Sequence, residues 1–376
     1  MVLVRGHDAL SAVEVGEETS AWGTAASGTM YRVPILNESL ALEREQFPKA
    51  REFGSTGSVE FLEPGRSVVR GAVTVHPRYD AAWFHILLAH SFGSEVVIPN
   101  EWVNGIAAGT VDANTHGYTF AAALPMGLTF KVWKSGPTTA GYIDTFTGCI
   151  ITRVVWEQPE DDIARVTFEF VGKTVTTNIA SGSPAAAAGS VFLKARDLSR
   201  ATSRVKTGST LANNFSLRSL RLTWDRRIEE ESAFLNDPDT LAKPGVIDTR
   251  DVTIELNGQL EQTYGAANTP WTEFLAKTTS QCDIRYCAVE VVQGTNPYSI
   301  RFHMPALIWE EVNNNLGEPG SNPFVARGRA IQGTVATQAG TDESGSTVLA
   351  TGPITDLRCF AAVQDGDDSD NEFSVL

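Results

Sequence analysis

The stretch Ile150-Ile151-Thr152-Arg153-Val154-Val155-Trp156-Glu157, followed after a short turn by Ala164-Arg165-Val166-Thr167-Phe168-Glu169-Phe170-Val171-Gly172, decides the fold class. Apolar and polar residues alternate along it, so Val166, Phe168 and Phe170 share one face while Thr167 and Glu169 share the other. That period of two is the signature of half-buried β-strands. In the first strand Trp156 shares parity with Val154. The ring therefore belongs to the core rather than to a sugar-stacking platform, and Glu157 points the opposite way.

Working outward, the second half repeats the pattern. Leu217 to Asp225 reads Leu-Arg-Ser-Leu-Arg-Leu-Thr-Trp-Asp, and Arg250 to Gly258 follows with Val252, Ile254 and Leu256 on one face. Two weaker copies are Ser39 to Glu43 with Gly71 to His76, and Ala306 to Glu310 with Arg329 to Gly333. The last is the poorest, because Arg329 stands where the other copies place an apolar residue. Aligned, the first strands give a column of Leu42, Trp156, Trp224 and Trp309, each followed by an acid: Glu43, Glu157, Asp225 and Glu310.

A helix separates the strand pairs in each half. The first is expected from Asp80 as N-cap through the apolar run to a stop at Gly93. The second opens at Thr269-Pro270, with Trp271, Phe274 and Leu275 on one side. Strand pair, helix, strand pair, stated twice, reads as an internal duplication. The expected fold is mainly β (α+β), with two tandem β-sandwich or barrel units, each with a flanking α-helix. The expected division is residues 1–36 as an N-terminal arm, 37–176 as the first unit, 177–213 as a linker or long loop, 214–363 as the second unit and 364–376 as an acidic tail.

Composition narrows the function classes. Asp and Glu total 45 against 30 Lys and Arg, a net charge of −15. Such a chain does not grip nucleic acid by neutralising phosphates. No apolar run is long enough for a membrane span, and Glu14, Glu17 and Glu18 stand where a secretory signal would be apolar. Four cysteines are too few for a disulfide scaffold, and Cys282 and Cys287, an odd number of residues apart on a strand, fall on opposite faces.

The catalytic inventory is thin. There is no nucleophile elbow, phosphate loop or His-Glu-x-x-His. His85 and His90 lie five apart on the first helix and so diverge, where a zinc pair needs a spacing of four. The acids of Asp161-Asp162 and Glu229-Glu230-Glu231 are contiguous and point apart. Asp365 to Glu372 lacks the bidentate Glu of a calcium loop. No catalytic residue, cofactor or metal site is assigned, and the chain is not expected to be an enzyme.

Gly16-Glu17-Glu18-Thr19-Ser20-Ala21-Trp22-Gly23-Thr24-Ala25 and Tyr31-Arg32-Val33-Pro34-Ile35-Leu36-Asn37-Glu38-Ser39-Leu40 resemble the opening of major tail tube proteins of long, non-contractile-tailed bacteriophages, the siphophages. The order of later elements agrees: Gly71 to His76 into an apolar helix, then Phe146-Thr147-Gly148-Cys149 into a strand pair ending at Gly172-Lys173. The resemblance implies a β-sandwich with a flanking helix, related to the type VI secretion tube protein, that closes into stacked rings around a genome conduit. It also implies a virion location after assembly in the host cytoplasm. The implied partners are further copies of the chain, the tape measure protein, the tail terminator and the distal tail protein, with no membrane.

Two units per chain would need three chains for a ring of six, a trimeric, pseudo-hexameric ring. By parity Glu43, Glu157, Glu169, Asp225, Glu255 and Glu310 leave the core face, and they are expected to line an acidic lumen through which DNA passes without specific binding. The hairpin connections Arg44 to Arg66 and Arg226 to Ile247 exceed ordinary hairpin loops and are expected to reach a neighbouring subunit or ring. The alternative reading is a surface or secreted β-sandwich binding module, which predicts a secretion signal and exposed aromatics.

Overall fold

Each alternating pair in the sequence becomes strand, with shifted bounds in the weaker copies: the first opens at Ala41 and not Ser39, and the last ends at Ala330. In the computed structural model, residues 12–48, 62–97, 115–121, 123–134, 141–160, 162–179, 183–198, 205–207, 213–214, 216–229, 242–247, 250–259, 270–293, 296–314, 323–331, 339–341, 347–349 and 360–364 are described. The first half supplies β1 (Ala12–Glu17), β2 (Tyr31–Val33), β3 (Ile35–Glu38), β4 (Ala41–Pro48), β5 (Leu62–Val75), helix α1 (Ala82–Phe92), β6 (Gly93–Val97), β7 (Thr115–Phe120), β8 (Leu128–Lys134), β9 (Tyr142–Gln158), β10 (Arg165–Gly172) and β11 (Thr174–Ile179). The second supplies β12 (Val205–Thr207), β13 (Asn213–Asn214), β14 (Ser216–Asp225), β15 (Asp251–Gln259), helix α2 (Pro270–Ala276), β16 (Ser280–Gln293), β17 (Asn296–Asn314) and β18 (Pro323–Ala330). A separate small ladder of β19 (Ala339–Thr341) and β20 (Thr347–Leu349) precedes β21 (Phe360–Gln364).

The fold is mainly β, as the alternation requires. One antiparallel sheet organises it, in the order β4-β5-β10-β9-β14-β15-β18-β17. Its two quartets have the same plan, a hairpin (β4-β5 or β14-β15) beside a hairpin (β10-β9 or β18-β17), and β9 joins β14 to make them continuous. Two further layers pack on one side of this sheet. The first runs β2-β1-β8-β9-β11 and the second β13-β12-β16-β17-β21-β7-β6. The long strands β9 and β17 serve both layers, their first parts in the outer sheet and their second parts in the eight-stranded one.

Between the layers lies one continuous core. Trp156 and Trp224 are fully buried and Trp309 nearly so, as their parity requires. Trp156 and Trp224 both meet Phe302 of the second half, at ring separations of 4.8 and 6.0 Å. Helix α1 sits in this core with every residue from Trp83 to Phe92 buried. Phe84 reaches Trp156 and Phe92 reaches Trp224, so a first-half helix packs on strands of both halves. A helix apolar on all sides is a buried helix.

Gly93 ends α1 as expected, in the left-handed conformation with its N–H on the Ala89 carbonyl. Its start differs from expectation. Ala81 is the N-cap and makes no side-chain cap, while Asp80 accepts hydrogen bonds from the backbone N–H of Ser190 and Val191. Residues 183–198 lie along the first half, pinned there also by Tyr79 N–H to the Val191 carbonyl and Ala164 N–H to the Leu193 carbonyl. A tertiary partner outcompetes the local cap, because two backbone donors on one carboxylate satisfy more than one free helix N–H would.

Within residues 1–36, β1 lies between β2 and β8 in the outer sheet. The buried Glu18 carboxylate holds the following turn, accepting from Gly23 N–H and Gly148 N–H at 2.6 Å each. Burial raises its pKa, and the backbone donors from Gly148 and Gly23 oppose the rise. The Arg44 to Arg66 connection begins and ends as continued strand, with Gln46 opposite Pro64 and Pro48 opposite Leu62. The Arg226 to Ile247 connection is closed at its base by a bridge between Ile228 and Val246. Thr269, the Asp365 to Glu372 acids and Cys359 lie outside the described residues.

Candidate functional site

The face of the eight-stranded sheet opposite the Trp column is open except at one end, where Val68, Ile150, Val171 and Ile228 form a small buried cluster, and all the carboxylates picked out by parity reach it. Their neighbours are arginines from adjacent strands. Glu43 lies 3.7 Å from Arg70, Glu157 3.5 Å from Arg221, Glu169 3.6 Å from Arg153, Glu255 3.1 Å from Arg327 and Glu310 2.8 Å from Arg329. Asp225 faces Asp251 across the β14–β15 pair and Arg153 across the β14–β9 pair. Asp251 is reached in turn by Arg227 at 3.3 Å and Arg329 at 3.6 Å.

Strand register turns these pairs into rows. One row crosses six strands as Arg165, Glu157, Arg221, Glu255, Arg327, Glu311, charge alternating at every step. Opposite charges directly across a ladder stabilise it and like charges destabilise it. The next row is uncharged for most of its length: Thr74, Thr167, Val155, Thr223 and Thr253, then Arg329 and Ile308. Thr74 and Thr167 share a hydroxyl hydrogen bond of 3.0 Å. The hydrogen bond from Arg327 to Glu255 raises the arginine's pKa further, so its charge is fixed.

Sequence reasoning found the acids and missed their partners, along with Asp251 and Glu311. A signal was present in the alternation of Arg327 and Arg329, two residues apart on one strand. In the fourth copy the expected alignment is off by one residue. Gly328 and Ala330 take the core positions and Arg329 takes the open face, while a bulge between Trp309 and Glu311 brings both Glu310 and Glu311 to the arginines. A bulge shifts parity on one strand only, which simple alternation cannot register.

The sheet has two edges. Among the described residues, no strand pairs with the outer side of β4, nor with the outer side of β17 beyond Leu307. Exposed apolar residues gather at both: Ile35, Leu36 and Leu42 on the first and Ile308 on the second. Leu42 is a departure from expectation. It shares its column with the buried tryptophans yet is 36% exposed, because an edge strand lacks the neighbour whose side chains would cover it.

Inside, the ionisable groups are structural. His85 and His90 are both buried and donate from Nε2 to the carbonyls of Tyr79 and Met126. Burial, with Arg226 close by, pushes His90 down to about 3, which keeps it neutral. Arg226, buried at the end of β14, donates to the His90 carbonyl at 2.7 Å and ties the helix to the joint between the halves. Burial, with Arg250 nearby, lowers its pKa to about 9. In the second outer sheet Asp283 accepts from Arg301 Nε at 2.6 Å, with His303 Nδ1 at 3.3 Å. The Cys149 thiol is buried and held protonated by that burial, and Cys282 is buried too. Among the described residues, no three His, Cys, Asp or Glu side chains converge as metal ligands, and no helix is long and apolar enough to cross a membrane.

The described residues present a sheet face of alternating charge and two open sheet edges. A profile of the phage tail tube protein family matches residues 9–339, most of the chain. The chain belongs to the phage tail tube protein family. No curated protein matched it in a sequence search. Family membership gives this tail tube protein a structural role, self-assembly into a tube and a place in the virion tail.

Proposed function

We propose that three copies of this tail tube protein close into a pseudo-hexameric ring, that the rings stack into the tube of a siphophage tail, and that the charged sheet face lines the conduit for DNA ejection. The carrying observation is the β9–β14 joint, where one four-stranded quartet already pairs edge to edge with the next. The repeated quartet plan supports reading the two halves as copies of one unit. Eight antiparallel strands leave edges running in opposite directions, so β17 of one chain can add to β4 of the next without breaking the alternation. Covering Leu42 and Ile308 in this way removes the exposed apolar edge.

Magnitudes favour closure by several chains over closure by one. An eight-stranded barrel has an interior just wide enough for its own side chains to fill, and this face carries Arg and Glu instead of apolar fillers. Three chains give twenty-four strands. At about 4.8 Å per strand the ring has a circumference of about 115 Å and a backbone diameter of about 37 Å before tilt widens it. Enclosing the outer layers inside such a ring would set them about 10 Å further in, where the circumference is less than half and cannot hold their greater number of strands. The open face is therefore the one that turns inward. The tape measure protein, tail terminator and distal tail protein are the partners expected from the family resemblance.

The test is a cysteine walk on assembled tubes. With Ile308→Cys fixed, a second cysteine is moved along residues 35–43. One position should give a disulfide-linked product that stops at trimer on a non-reducing gel, and that position fixes the register. A ladder ending at hexamer, or no cross-link from any position in tubes that form normally, would overturn the joint.

A further inference from the structure

We infer that the carboxylates of the open sheet face act as built-in counter-ions for its arginines, and that this pairing keeps an arginine-rich wall from holding DNA. The inference rests on reading that face as the conduit wall, and it changes the task of the acids. An acidic wall would simply repel phosphates. This face instead has Arg153, Arg165, Arg221, Arg327 and Arg329 spread across it, each a side chain suited to bidentate phosphate contact. Left free, they would brake a passing duplex at every turn.

The free-energy argument concerns counter-ions. An arginine that neutralises a phosphate gains affinity chiefly because the phosphate's condensed cation is released. If that arginine must first leave a glutamate 3 to 4 Å away, the stranded glutamate recruits a cation of its own, and the net release is close to zero. The observed spacings meet this condition, with Glu157 to Arg221 at 3.5 Å, Glu255 to Arg327 at 3.1 Å and Glu311 to Arg327 at 3.2 Å. The alternating row also means that each of Arg221 and Arg327 has a carboxylate on both sides across the ladder. A phosphate approaching either one meets a carboxylate whichever way the arginine swings. The row beside it, mostly threonine, presents hydroxyls without charge.

This account separates two perturbations that simple repulsion treats alike. Neutralising the acids should create a DNA-binding surface, whereas neutralising the arginines should leave the wall passive. The experiment uses the full-length chain at nanomolar concentration, unassembled, so the face is open to solvent wherever it lies in a tube. A fluorescein-labelled 30-base-pair duplex is titrated and followed by anisotropy at about 50 mM salt. The native chain should show no saturable binding. Glu157→Gln with Glu255→Gln and Glu311→Gln should bind at least tenfold more tightly, with the plot of log affinity against log salt steeper by about 2 for two freed arginines. The milder pair Glu255→Gln and Glu311→Gln, which frees Arg327 alone, should shift in the same direction by less. Adding Arg221→Gln and Arg327→Gln to the triple variant should restore the passive face. A control with the same net charge, Asp365→Asn with Asp367→Asn and Asp368→Asn, should not bind.

Absence of binding by both folded glutamine variants, or equal binding by the tail control, would overturn the counter-ion role. That failure would leave the conduit reading standing. Conversely, labelling of Ile308→Cys and Thr223→Cys from the outside of intact tubes by a bulky maleimide would remove the conduit reading without touching the DNA-binding result.

Discussion

Val155 and Ile308 lie in the same cross-strand row of the same sheet face, yet one is 8% exposed and the other 38%. Val155 sits at the joint between the halves, with Thr167 on one side and Thr223 on the other. Ile308 has Arg329 on one side and nothing described on the other. Trp224 and Leu42, partners in the sequence column, differ in the same way, fully buried against 36% exposed. Side-chain parity is equal within each pair, so the number of neighbouring strands is what differs. The joint is a finished version of what the edges lack.

The comparison can be broken most forcefully at the joint. Trp224→Ala should cost about 3–5 kcal/mol, since it opens a cavity against Phe92 and Phe302. Leu42→Ala should cost less than about 1 kcal/mol in the dilute chain. Urea denaturation of the two variants decides it. Equal losses would mean that the β4 edge is already covered within one chain.

The long strand β17 contains a second contrast, because its first part is paired on both sides with β16 and β21. There burial pushes the Asp283 carboxyl up, but Arg301 and then His303 outweigh it and hold the group well below the ordinary carboxylate value. Asp283→Asn removes the buried carboxylate to which Arg301 donates and should cost about 3–5 kcal/mol at neutral pH. A depressed folded pKa contributes stability that is complete above the unfolded value of about 3.9 and is lost as pH falls through the folded one. The gap between native and variant stability should therefore be constant from about pH 5 to 7 and close below about pH 4. A gap that widens on acidification would contradict the pairing.

At the open end of the same strand, Ile308→Asp should change the unfolding free energy of the unassembled chain by no more than about 0.5 kcal/mol. It should nevertheless abolish tubes in negative-stain micrographs, because ring closure would bury an unpaired carboxylate at every joint. Val155→Asp should do the reverse and damage the fold itself. The smallest effect is expected on the face between joint and edge. Arg221→Gln breaks a pair whose members are each about half exposed, and should change stability by less than about 0.5 kcal/mol and leave tubes intact.

The sequence by itself determined the strand parity, the tryptophan core, the Gly93 stop and which acids leave the core face. Each depends on neighbours one or two residues away or on the periods of helix and strand, which covalent geometry sets. Only the tertiary structure decided which arginine meets which acid, since Glu157 pairs with Arg221 of the neighbouring strand while Arg165, opposite it on the other side, pairs with Asp162. The bulge at Trp309 to Glu311 likewise brought Glu311 onto the open face beside Glu310, which simple alternation along that strand would not allow. Asp80 is the same lesson at short range. A residue with every qualification for a helix cap was recruited by Ser190 and Val191, 110 and 111 positions away. Register, bulges and long-range clasps are chosen by the packing of the whole sheet, where the free energy of many contacts overrides the preference of any one residue for its sequence neighbours.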